Sequence, residues 1–195
     1  MSSRSIPRFG AGLAAVAVLA IAAAPAGAGQ LKGVFRISAG SYFRMIYPAG
    51  HTPKYFANPY STDTDKTFTL VTAGTDGGLR TGALQPAPTP AFDAKGNSLA
   101  GRIIHPANFT GIEFGLVTVG TAPSISVGGG RLSGQVSGFT AEWNKLSFPQ
   151  GSSNVSGTYN AKTHAYVLTW TSKISGGPFN GFTGSWHLQG KFVAS

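Results

Sequence analysis

Between residues 181 and 192 the chain alternates strictly. Phe182, Gly184, Trp186, Leu188, Gly190 and Phe192 fall on one side of an extended backbone, and Thr183, Ser185, His187, Gln189 and Lys191 fall on the other. A period of two belongs to a β-strand. One dry face and one wet face is the pattern of an antiparallel sheet that packs on a single side. A strand of that kind needs partners, and the rest of the chain supplies them. After residue 30 no long stretch repeats with the helical period. Short β-like runs at 34–38, 41–47, 66–72, 99–105, 111–119, 131–143, 155–159 and 164–171 are separated by Gly, Pro, Asn and Asp. Asn160-Ala161-Lys162-Thr163 reads as the turn of a hairpin, and Asp93-Ala94-Lys95-Gly96-Asn97 as another turn. Residues 74–90 are the least regular, with three alternating prolines at 86, 88 and 90 that cannot occupy a central strand. The expected fold is all-β: a single antiparallel β-sandwich or β-barrel of about 8–10 strands.

The first residues do not belong to that pattern. Arg4 and Arg8 precede an uncharged apolar run at 11–24, then Pro25 and the small residues Ala26-Gly27-Ala28. Those three parts make residues 1–28 a cleavable secretory signal peptide of bacterial type, with cleavage expected after Ala28. The apolar run is shorter than the ~20 residues of a membrane span, and no second one follows. The expected product is one exported all-β domain, 29–195, without a transmembrane span, secreted or held in the periplasm or cell wall.

The chain has no cysteine. Thiol catalysis, disulfide staples, iron–sulfur clusters, cysteine-held zinc and a lipoprotein anchor are therefore excluded. A domain of this size can bury enough surface to stand on packing alone. The formal charge is +9, with 15 basic residues against 6 acidic ones. Arg4 and Arg8 are in the leader, so about +7 remains beyond it, spread without a basic run. Nucleic acid is not an expected partner. The expected partners are a cell-wall glycan, a lipid or an envelope protein.

Three segments echo one another: Phe109-Thr110-Gly111-Ile112-Glu113-Phe114, Phe139-Thr140-Ala141-Glu142-Trp143 and Phe182-Thr183-Gly184-Ser185-Trp186. Their unequal spacing excludes a propeller or solenoid repeat. One structural demand met three times, an aromatic, a gap and an aromatic on one core face, accounts for the echo.

Few residues offer chemistry. Glu113 and Glu142 are the only glutamates, both in expected strands. On a shared cleft they could serve a polysaccharide hydrolase, one as acid and one as nucleophile or base. Asp63, Asp65 and Asp76 lie in loops and could gather a Ca²⁺ ion, although turn capping explains them too. No other cofactor is expected. The four histidines lack ligand spacing, no Gly-x-Ser-x-Gly elbow occurs, and Gly128-Gly129-Gly130 and Gly176-Gly177 read as turns. Trp143, Trp170 and Trp186, with His187 beside the last, could stack on sugars or line an apolar pocket. The leading expectation is thus a non-enzymatic exported domain that binds a glycan, a cell-wall polymer or a lipid. The alternatives are the glutamate-pair hydrolase and a structural or assembly protein of the envelope.

Overall fold

The computed structural model of the protein describes residues 29–62 and 66–195. The expected leader lies outside them, as do Asp63 and Asp65. Among the described residues there is no helix, and every strand pairing is antiparallel. Fourteen strands follow one another, more than expected because several are very short. The first seven are β1 (Gly29–Gln30), β2 (Gly33–Ile37), β3 (Tyr42–Ile46), β4 (Thr69–Leu70), β5 (Gly78–Thr81), β6 (Ala107–Phe109) and β7 (Ile112–Thr118). The rest are β8 (Ser124–Gly128), β9 (Arg131–Val136), β10 (Phe139–Trp143), β11 (Leu146–Pro149), β12 (Ser153–Tyr159), β13 (Ala165–Lys173) and β14 (Thr183–Ala194).

They form two sheets. The larger has ten strands in the order β1-β8-β9-β12-β13-β14-β2-β5, with β3 on β14 and β4 on β3, and it curls into a half-barrel. The smaller has four, β11-β10-β7-β6. The alternating segment is β14, and it occupies the middle of the large sheet. Its first half pairs with β3 and its second half with β2. Gly190 sits at the change of partner with φ 155°, and a Cβ there would lie 1.9 Å from the Arg36 carbonyl oxygen. Only glycine lets the strand bend that close to its neighbour.

Two expected strands are corrected. Residues 131–143 do not form one strand: Ser137 and Gly138 divide them, and β9 joins the large sheet while β10 joins the small one. Gly138 has φ 63°, and a Cβ there would meet the Val119 carbonyl oxygen at 2.2 Å. The run at 99–105 contains turns and an isolated bridge from Ile104 to Ala73 instead of a strand.

The inward faces of both sheets make one core. Trp170 and Trp186 are cross-strand partners on β13 and β14, and Trp186 in turn faces Phe43 on β3. The two indoles stack with centroids 5.7 Å apart and planes 11° apart. Phe139 of the small sheet meets both edge-on, at 5.5 and 5.1 Å. Edge-to-face and offset contacts suit the charge distribution of aromatic rings. In a chain without disulfides such packing carries the stability.

Candidate functional site

The core is not filled evenly. An apolar cavity of about 30 Å³ remains between the sheets, walled by Phe43, Met45, Phe56, Phe114, Trp143 and Trp186, among others. Each wall follows from strand alternation. Ala141 and Trp143 point inward from β10, Phe114 from β7, Phe43 and Met45 from β3, and Gly184 and Trp186 from β14. The three echoed segments therefore meet here: Phe109 and Phe114, Ala141 and Trp143, and Gly184 and Trp186 all line the same space. In the first echo Thr110 and Gly111 are not a gap within one strand. They form the turn between β6 and β7, with φ of 53° and 85°.

One patch of the wall is polar. Trp186 donates its Nε1–H to Ser172 Oγ at 3.0 Å, and the Ser172 hydroxyl donates to Gln150 Oε1. Gly184 makes that arrangement possible, because a Cβ there would stand 2.8 Å from Trp186 Nε1 and 3.2 Å from Ser172 Oγ. An apolar cavity with a few placed polar groups is the usual form of a small-molecule site.

A loop closes the cavity. Between β13 and β14, residues 174–182 carry Phe179 inward, where its ring meets Phe109, Trp143, Phe148 and Phe182 at 5.3–5.9 Å. The hydrogen bonds of this loop run within it. Ile174 N–H donates to Phe182 O, Gly181 N–H to Ile174 O, and Gly176 N–H to Asn180 Oδ1. Gly176, Gly177 and Gly181 take φ of 84°, 64° and 85°, which a tight, self-contained loop needs. The loop is joined to the small sheet by aromatic contact, through the Phe179 plug. Sequence reading took Gly176-Gly177 only as a turn and missed Phe179. The signal was present, a phenylalanine between Gly177 and Gly181 in a loop whose residues 175–178 and 180 are exposed.

The four expected ligand residues separate. Trp143 is half-buried at the cavity and donates Nε1–H to Phe109 O at 3.2 Å. Trp186 and Trp170 belong to the core, 4% and 5% exposed. Trp186 still forms part of the cavity wall, while Trp170 is packed away from it. His187 lies on the opposite face of the large sheet, stacked on Tyr42 at 4.8 Å and 9°.

Glu113 and Glu142 share the outer face of the small sheet. Glu142 pairs with Gly115, and Glu113 stands two residues before that partner, so the two are diagonal neighbours. They do not meet in an open cleft. The strap at 91–101 covers this face: Ser98 N–H donates to Glu113 O, Glu113 N–H to Asn97 Oδ1, and Asn144 N–H to Gly96 O. Within the strap the Asn97 amide, donating to Asp93, holds that carboxyl below its usual range. Glu142 is 3% exposed. Burial raises its pKa from the ordinary 4.5, the hydroxyls of Ser147 and Ser98 offset this in part, and Oε2 has no partner. The arrangement can hold a neutral carboxyl, but it gives no substrate a way to it.

Asp76 is engaged by cations of the protein itself. Arg102 donates Nε–H to Oδ2 at 3.0 Å, Arg80 Nε stands 3.3 Å from the same oxygen, and Gln85 Nε2 is also 3.3 Å away. Among the described residues no three histidines or acids gather as a metal cluster, and no helix is long and apolar enough to cross a membrane. Compared with protein-family models, curated proteins and solved structures, the chain has no significant match.

Proposed function

We propose that the protein is an exported, non-enzymatic binding domain that takes a lipid, entering acyl chain first, between its two sheets. The observation that carries this reading is the aromatic cavity with the Phe179 loop laid against its wall. Its walls are almost wholly apolar, which suits a hydrocarbon chain; the one polar patch, where Trp186, Ser172 and Gln150 bond one another, is buried and satisfied, so the head group of a chain that enters acyl end first stays at the mouth under the loop. The space present holds little more than a water or two. Entry therefore requires Phe179 to leave, and a ligand chain then replaces its aromatic contacts with its own. The leader and the lack of any catalytic motif support the exported, non-enzymatic part. The hydrolase alternative is disfavoured by the sealed position of Glu142.

Dibromostearate tests the reading directly, because bromine quenches indoles it touches. Titrated into the purified protein, it is expected to quench tryptophan emission saturably near one equivalent, and oleate should restore the emission. Trp143→Phe should remove a large part of the quenching while the protein stays folded. Quenching that is unsaturable, or absent both here and in Phe179→Ala, would overturn the proposal.

A further inference from the structure

The wet face of the large sheet carries an unusual pattern. Cross-strand pairing lines up Ser126 with Ser133, Ser133 with Ser156, Ser156 with Thr169, Thr169 with His187, and His187 with Tyr42. One straight rank thus crosses six strands, from β8 to β3. At the usual strand spacing it spans about 24 Å. Beside it runs a parallel rank: Ser124, Gln135 and Asn154 on one flank, then Ser185 and Arg44 on the other, with Thr171 opposite Ser185. A groove of about 530 Å³ lies along the middle of both, lined by Asn154, Ser156, Thr169, Thr171, Ser185 and His187, with Tyr42 at its end.

Solvated sheet faces are commonly studded with lysine and glutamate, which keep them soluble and unpaired. Here the two ranks hold one charged residue, Arg44, in a chain of 15 basic residues. The rest are hydroxyls, amides and rings. At one end His187, Tyr42 and Phe68 form a stack with centroids 4.8 and 5.0 Å apart. The Arg44 guanidinium lies 5.4 Å from the Tyr42 ring centre and 5.7 Å from that of Phe68. Neutral hydrogen-bonding groups at a fixed repeat, ending in apolar ring surface, match a flat chain with neutral hydroxyls along its edges and C–H faces above and below.

We propose that this face binds an extended, neutral β-1,4-linked glycan laid across the strands, its hydroxyls on the Ser133–Ser156–Thr169 rank and one sugar against the Tyr42–His187 stack. Serine and threonine hydroxyls both donate and accept, as sugar hydroxyls do, so such a rank can pair with them in either sense. Apart from Arg44, which lies over the Tyr42 and Phe68 rings at one end, the ranks carry no fixed charge, so a neutral chain laid on them covers no other ion. The proposal does not depend on the cavity, which opens on the other side of the same strands.

The test is calorimetric titration of the purified protein with cellohexaose and with chitohexaose, using cellobiose as the length control. At least one hexasaccharide should bind, about tenfold tighter than the disaccharide because it engages several strands at once. Ser156→Lys, on an exposed position, should abolish binding without moving the melting temperature, and Tyr42→Ala should weaken it. Oleate should not compete. Failure of both hexasaccharides to bind at millimolar concentration, or binding indifferent to Ser156→Lys, would overturn the proposal and leave the dibromostearate result untouched.

Discussion

Towards one end of the layer between the sheets Phe139, Trp170 and Trp186 lie under regular strands; towards the other Phe109, Trp143 and Phe148 lie under a loop. The residue types are the same, and rings about 5–6 Å apart meet edge-on or tilted at both ends, with one indole stack added at the first. What differs is the cover. At the first end the backbone above the rings belongs to the β13–β14 ladder, nine paired residues long. At the second it is the 174–182 loop, whose hydrogen bonds stay inside it. Opening the first end means breaking a sheet, whereas opening the second means lifting a self-bonded loop whose ring contact with the small sheet is Phe179. Regions with few ties to the rest of a fold open at lower free energy, and binding sites are drawn from them. This is why an imperfectly filled space matters at the loop end.

The strongest challenge to this contrast is Trp186→Ala. It removes a buried indole that stacks on Trp170 and Phe43 and donates to Ser172. The expected loss is about 3–5 kcal/mol, from lost burial plus the hole left behind. Chemical denaturation with an unchanged m-value would measure it. A loss near that of an ordinary surface substitution would mean that the strand-covered end is no more committed than the loop end.

Phe179→Ala should do much less to stability, about 1 kcal/mol, because its ring is partly exposed and its loop holds itself together. Its effect should fall on access. Uptake of dibromostearate should become faster and tighter, since the ligand no longer displaces the plug. Slower uptake, or destabilisation as large as that of Trp186→Ala, would place Phe179 in the structural core and remove the distinction between the two ends.

How far the contrast was legible in the sequence depends on the element. The period-two run that became β14 was plain, and the all-β class follows from it and its neighbours. The echo of Phe-Thr-small-polar-aromatic segments pointed to one shared demand, and the fold brings all three to one cavity. The strands β5, β6 and β11 were not legible, because three or four residues give periodicity too little length to register. Nor could the pattern separate Trp143 from Trp170. Both point inward from their strands, and only tertiary packing decides which one ends beside a cavity. His187 was named for its neighbour Trp186, yet adjacent strand residues face opposite ways, so the two serve different surfaces. The cross-strand ranks depend on register between distant strands, which local sequence does not encode.

The smallest effect sharpens the comparison from the outer side of the small sheet, where the 91–101 strap makes a third kind of cover. Unlike the Phe179 loop, the strap is hydrogen-bonded to the strands beneath it, through Ser98, Asn97 and Gly96. If that cover is tight, Glu142 stays protonated in the folded state above the pH at which it ionises in the unfolded chain. As pH rises through 4.5, the ordinary value, the unfolded state loses its proton first, and stability falls until the raised folded pKa is passed. Glu142→Gln cannot ionise and escapes that loss. Its melting temperature relative to the unsubstituted protein should therefore rise between about pH 4 and pH 7. A difference that is flat across that range would mean water reaches the carboxyl, and the strap would then be as loosely held as the loop that carries Phe179.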